Sequence, residues 1–145
     1  MVAMGFDFEH SVEIDRPAEE VFAFVSDFEN NPRWQGGMVS CEWTSEQTKV
    51  VGATYVQHAK FMGKRIDTHF VVTELVPGAR VSIESTKSTF PIQVTRSVEP
   101  IGERRCRVTA HVRGQPTGLM AWMTPMVRHS IRGDYARLET LLETS

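Results

Sequence analysis

A change of period inside the first third of the chain limits its folding options most. From Phe6 to Asp15 the residues alternate. Phe6, Phe8, Val12 and Ile14 share one parity with His10, while Asp7, Glu9, Ser11, Glu13 and Asp15 hold the other. Such alternation belongs to a strand with one buried face. After Arg16 and Pro17 the period becomes helical, with Val21, Phe22, Phe24, Val25 and Phe28 on one side. Pro17 suits the first turn of a helix, where a missing N–H costs nothing. Asp15 is the expected cap, and Glu19 and Glu20 sit where the helix dipole favours negative charge. Asn31 precedes Pro32 and is expected to end the helical stretch, and Trp34 follows in a loop.

The remainder reads as a meander closed by a helix. A short strand is expected at Val39 to Trp43, two longer ones at Thr54 to Phe61 and Lys64 to Val76, and further strands at Arg80 to Ser85, Phe90 to Glu99 and Arg104 to Arg113. Their connections are too short for βαβ crossovers and argue for antiparallel pairing. From about Gly118 to Glu143 the period is helical, with Leu119, Met123, Met126, Val127, Ile131, Leu138, Leu141 and Leu142 in one stripe. Pro125 either kinks this helix or marks its start. The expected fold is α+β: a seven-stranded curved antiparallel sheet, two short helices between strands 1 and 2, and a long C-terminal helix covering one face.

Length and charge narrow the function. A chain of 145 residues is most simply one domain, 1–145, large enough to bury roughly 70% of its unfolded surface. A net charge of −2 gives no electrostatic case for nucleic acid or for an anionic membrane. No apolar run approaches the ~20 residues of a membrane span. The start, Met1 to Gly5, lacks a basic region and a long apolar stretch, so no secretory signal and a cytoplasmic location are expected. Cys41 and Cys106 show no metal spacing and read as reduced, buried thiols. No nucleotide, hydrolase or zinc motif is present, so neither a metal nor a cofactor is expected.

Val12 to Asp27, Pro32 to Trp34, Val50 to Gly52 and Leu138 to Glu143 carry a resemblance over nearly the whole chain. They resemble the START-like (SRPBCC) superfamily of helix-grip proteins, especially its polyketide cyclase/dehydrase and lipid-transport branch. The resemblance implies a container for hydrophobic molecules. It implies no catalytic residue, because the family shares no catalytic motif.

The informative residues are polar ones on apolar faces. Arg96 shares a parity with Phe90, Ile92, Val94 and Val98, and His10 lies between Phe8 and Val12. On the last helix, steps of ~100° put Asp134 near the centre of the stripe, with Ser130 beside it. If Met62 and Gly63 form a two-residue turn, Tyr55 pairs with Phe70 and Gln57 with Thr68, all facing inward. A buried arginine requires a partner. Arg96 therefore either pairs with Asp134, snorkels to the cavity mouth, or presents its fork to a ligand carboxylate or enolate oxygen. His10 is either a satisfied core residue or a general base. His58, His69 and His111 fall on the solvent parity, with His58 facing Asp67. Arg104, Arg105 and Arg107, and Arg128, Arg132 and Arg137, read as solvated faces.

Met120, Trp122, Met123 and Met126 either pack as core or form a pliable entrance. Trp34 either packs the short helices or lines the pocket. The expected function is binding, and possible transport, of a small hydrophobic molecule such as a lipid, polyketide or aromatic compound. One alternative is a cyclase or dehydratase using His10, Arg96, Asp134 or Tyr55. A second is a protein-interaction module, which expects a filled interior and an exposed apolar patch.

Overall fold

The computed structural model describes residues 6–115 and 124–145. Strand β1 (Phe6–Ile14) leads into helix α1 (Ala18–Val25) and a 3₁₀ helix (Phe28–Arg33). There follow β2 (Met38–Trp43), β3 (Thr54–Phe61), β4 (Lys64–Val76), β5 (Arg80–Lys87), β6 (Ile92–Gly102), β7 (Arg105–Gly114) and α2 (Thr124–Thr144). All pairings are antiparallel, in the order β1-β7-β6-β5-β4-β3-β2. Consecutive strands pair except at the closure of β1 on β7. The chain therefore crosses from one sheet edge to the other through α1 and the 3₁₀ helix.

The first unit folds as its periods dictate, with two corrections. Asp15 does not cap α1. Pro17 occupies the cap position without a side-chain hydrogen bond, and the Asp15 N–H instead donates to Glu143 Oε2 at 2.9 Å. Nor does Asn31 end the helical run, because Pro32 lies inside the 3₁₀ helix. That helix is capped by Asp27, whose carboxylate accepts the Glu29 N–H at 3.3 Å. Separating α1 from the 3₁₀ helix buries Val21, Phe22, Val25 and Phe28 together.

The register follows the expected turn. Met62 and Gly63 both have positive φ, at 52° and 79°, which matches the twist of a two-residue hairpin. Tyr55 pairs with Phe70 and Gln57 with Thr68. Gly37, at φ 78°, permits a close approach: a Cβ there would lie 2.8 Å from the Lys60 carbonyl. On the other sheet edge, Leu138, Ile14, Val108 and Cys106 are completely buried under α2. Among the described residues no helix is long and apolar enough to cross a membrane.

Candidate ligand-binding cavity

Two adjoining chambers lie between the sheet and α2. The inner one, ≈ 150 Å³, is walled by Tyr55, Phe70, Ile83, Val94 and Val112 from the sheet and by Asp134 and Tyr135 from α2. The outer one, ≈ 250 Å³, is walled by Phe61, Ile66, Thr68 and Phe90 and by Met126, Val127 and Ser130. Gln57, Ile92 and Ile131 border both and lie between them. Met126 is 40% exposed and Ser130 is exposed, so the outer chamber opens to solvent beside the start of α2.

The inner chamber has a polar end built around Arg96, which is 4% exposed. Its place on β6 sets the guanidinium beneath the crossing segment. Nη1 donates to the Val25 carbonyl at 2.9 Å and to Asn31 Oδ1 at 3.0 Å. The Val25 carbonyl belongs to the last turn of α1, whose acceptors lack helical partners. The cation lies 4.8 Å from the Trp34 ring and 5.1 Å from the Phe28 ring, a favourable placement over aromatic faces. Arg96 Nε has no hydrogen-bond partner among the described residues, and neither have the Tyr55 hydroxyl, Gln35 Oε1 and Trp34 Nε1. Arg96, Tyr55 and Gln35 all line the inner chamber.

The expected pairing of Arg96 with Asp134 is not formed. Asp134 Oδ1 accepts the Gly36 N–H at 2.9 Å and lies 3.4 Å from Arg137 Nη1. The arginine secures the crossing segment from the sheet side, and the aspartate secures the loop after it from the helix side. Burial raises the Asp134 carboxyl above the ordinary carboxylate range, against the Gly36 N–H and the charges of Arg137 and Arg96. Burial also pushes the Tyr55 phenol well up, and Arg96 only partly offsets it. Tyr55 is thus a neutral donor.

The remaining candidates separate cleanly. Gln57 and Thr68 border the outer chamber, and Phe70 the inner. Trp34 is 1% exposed and packs edge-on against Tyr135 at 4.9 Å; it supports Arg96 from behind and lines neither chamber. His10 is also outside both. Its ring stacks on Phe8 and meets Tyr135 edge-on, each at 6.3 Å. Burial, then the Arg132 charge, lowers its basicity. Trp122 and Met123, with Met120, lie outside the described residues.

His58 faces Asp67 at 2.7 Å, and His111 binds Asp7. Arg128 and Arg132 each sit 5.4 Å from the Phe8 ring. Cys41 and Cys106 are free and buried, with the Cys41 thiol pushed up to about 12 by burial. Sequence reading missed Asn31, Gln35 and Tyr135. Tyr135 had a signal, since it stands four residues after Ile131 and three before Leu138 on the apolar stripe.

A curved antiparallel sheet gripping a long helix around a cavity defines a helix-grip container. The chain belongs to the polyketide cyclase/dehydrase and lipid transport family, whose model matches residues 5–143. Among curated proteins none matches the chain. Solved structures share the fold. A Thermus thermophilus protein, TTHA0849, is 19% identical, with a TM-score of 0.79 over 97% of this chain and 100% of that one. The di-domain ARO/CYC BexL from the BE-7585A biosynthetic pathway is 23% identical, with a TM-score of 0.77 over 95% of this chain. This chain spans only 46% of BexL. Norcoclaurine synthase from Thalictrum flavum, in complex with dopamine and hydroxybenzaldehyde, is 12% identical, with a TM-score of 0.71 over 97% of this chain and 87% of that one.

Proposed function

We propose that the chain is a single binding domain for a small hydrophobic molecule, a lipid, polyketide or aromatic compound, that ends in one oxygen-bearing group. The observation carrying this reading is the pair of buried, unpartnered donors, Arg96 Nε–H and Tyr55 O–H, in a chamber whose other walls are mostly apolar apart from Gln35, Gln57 and Asp134. A buried donor without an acceptor is costly, and a carbonyl or carboxylate oxygen on the cargo would satisfy both. An apolar cavity of about 150 Å³ holds a benzene-sized group, so one ring or a short chain fits the inner chamber and the rest occupies the outer. Affinity then grows by about 0.8 kcal/mol for each buried CH₂. Tyr55, Arg96, Gln57 and Asp134 set orientation, while Phe70, Thr68, Met126 and Ser130 shape the wall.

A cyclase or dehydratase is the second reading, favoured by the raised Asp134 carboxyl in the same chamber. A protonated carboxyl can act as a general acid, with Arg96 and Tyr55 stabilising a developing oxyanion. BexL, a di-domain ARO/CYC, and norcoclaurine synthase share this scaffold. The interaction-module reading expects a filled interior, and the two chambers do not support it.

Native mass spectrometry of freshly purified protein tests the container. A noncovalent adduct lost on denaturation is expected. Tighter binding of 2-naphthoate than of 2-methylnaphthalene tests the polar end. A bare chain that binds neither compound overturns the reading, and turnover of a bound adduct moves the conclusion to the enzyme.

A further inference from the structure

The rim of the outer chamber has a composition unlike the rest of the molecule. It is formed by the β3–β4 hairpin, the β5–β6 loop and the start of α2. The hairpin outreaches its neighbour, because pairing of β4 with β5 begins only at His69 with Lys87. Residues 64–68 therefore extend past the end of β5, by roughly 15 Å at about 3.3 Å per residue. Met62 is at the tip and is 73% exposed. Phe61 behind it lines the chamber, as does Met126 across the opening.

Charge divides unequally too. The chain has more acidic than basic residues, 18 to 16. Yet segments 54–66, 85–98 and 124–133, which build this end, contain no Asp or Glu. Lys60, Lys64, Arg65 and Lys87 are exposed there. Asp67 is engaged by Arg65 and His58, and Asp7, at the far edge of the same end, by His111 and Arg113. Among the described residues the three lysines make no ion pair, whereas Arg105 and Arg107 on β7 are matched by Glu13, Asp15 and Glu99.

We propose that this rim docks on an anionic lipid bilayer, with Met62 and Met126 entering the headgroup–acyl boundary and Lys60, Lys64 and Lys87 against the lipid phosphates. Apolar residues ringed by lysine suit an anionic interface. A two-residue hairpin tip offers a protein partner too little area for the ~1,200 Å² of a stable interface, but a fluid bilayer adapts to it. Each lysine near an anionic surface is worth roughly fivefold in partition, so three give a contact that is weak, reversible and salt-sensitive. Docking places the open chamber against the acyl layer. Delivery of cargo there rests on the container reading, but docking itself does not.

Flotation of the full chain with vesicles of phosphatidylcholine, alone or mixed with phosphatidylserine, tests the proposal. Binding only to the mixed vesicles, lost at high salt, is expected. Lys60→Ser with Lys64→Ser should weaken it on the order of twentyfold, and Met62→Ser should weaken it with unchanged salt dependence. These residues are exposed, so an unchanged melting temperature should verify folding. No binding to mixed vesicles overturns the proposal. So does equal binding to both vesicle types, or insensitivity to the substitutions. Capture of an acidic helical peptide without vesicle binding also overturns it and assigns the rim to a protein. Because the cargo-free protein is used, failure here leaves the cavity reading untouched, and an empty cavity leaves this result standing.

Discussion

Arg96 and Asp134 line the same chamber and do not bond to each other. Arg96 holds Val25 and Asn31 at the end of the first helical segment, while Asp134 holds Gly36 two residues after Trp34. Two buried charges thus fasten neighbouring parts of one crossing segment, from opposite walls. The arginine keeps Nε uncommitted, so under the proposed function fixing the fold and meeting a ligand fall to different nitrogens of one group.

Removing that group should expose both duties. Arg96→Met strands the Val25 carbonyl and the Asn31 amide oxygen in a buried site. A loss of about 3 kcal/mol is expected, read from urea unfolding. A loss below about 1 kcal/mol would show that the crossing segment is held by apolar packing alone.

Tyr55→Phe separates stability from binding. The hydroxyl has no partner among the described residues, so its removal should leave the unliganded protein as stable or raise stability by about 1 kcal/mol. The same change should reduce 2-naphthoate binding more than 2-methylnaphthalene binding, by calorimetric titration. A destabilised variant with unchanged binding would assign the hydroxyl a structural partner.

Asp134 predicts a pH dependence of definite sign. Its folded carboxyl lies above the ordinary value of 3.8 because burial disfavours the charge. The folded state therefore holds its proton more tightly than the unfolded one. This contribution is full below 3.8 and declines as pH rises through the folded value. Asp134→Asn can still accept the Gly36 N–H and carries no such penalty. The variant's melting temperature relative to the parent should increase on going from acid to neutral pH. A constant difference would mean that the carboxylate is fully compensated by Gly36 and Arg137.

Core packing under α2 should be uneven. Leu138 is completely buried, and Leu138→Ala is expected to cost about 3 kcal/mol. Met126→Ala, at a 40% exposed position, should cost under about 1 kcal/mol. Chemical denaturation of both variants checks the contrast.

The container was more legible than its polar end. Alternation from Phe6 to Ile14, the turn at Met62 and Gly63, and the apolar parity of β6 each report short-range geometry that a linear pattern records. The inward position of Arg96 followed from parity alone. Its partners did not, because one is a backbone carbonyl 71 residues away and backbone groups leave no trace in side-chain pattern. Asp134 looked like the natural counter-ion, but a loop amide reached it first. The boundary between α1 and the 3₁₀ helix was blurred because Phe28 continues the helical spacing across it.

The two ends of α2 are held by different means. At its C-terminal end Glu143 takes the Asp15 amide at 2.9 Å, and Arg16 donates to the carbonyls of Glu143 and Ser145 at 3.2 and 2.7 Å. At its other end the helix borders the open chamber through Met126 and Ser130. The C-terminal end of the helix is thus tied to the corner between β1 and α1, while its first turns face the open chamber. Under the proposed function, tolerance for bulk belongs to this open end, while chemical discrimination belongs to Arg96 and Tyr55 deeper in the wall. On that reading, changes at the rim widen the range of guests without rewriting what their polar ends must be.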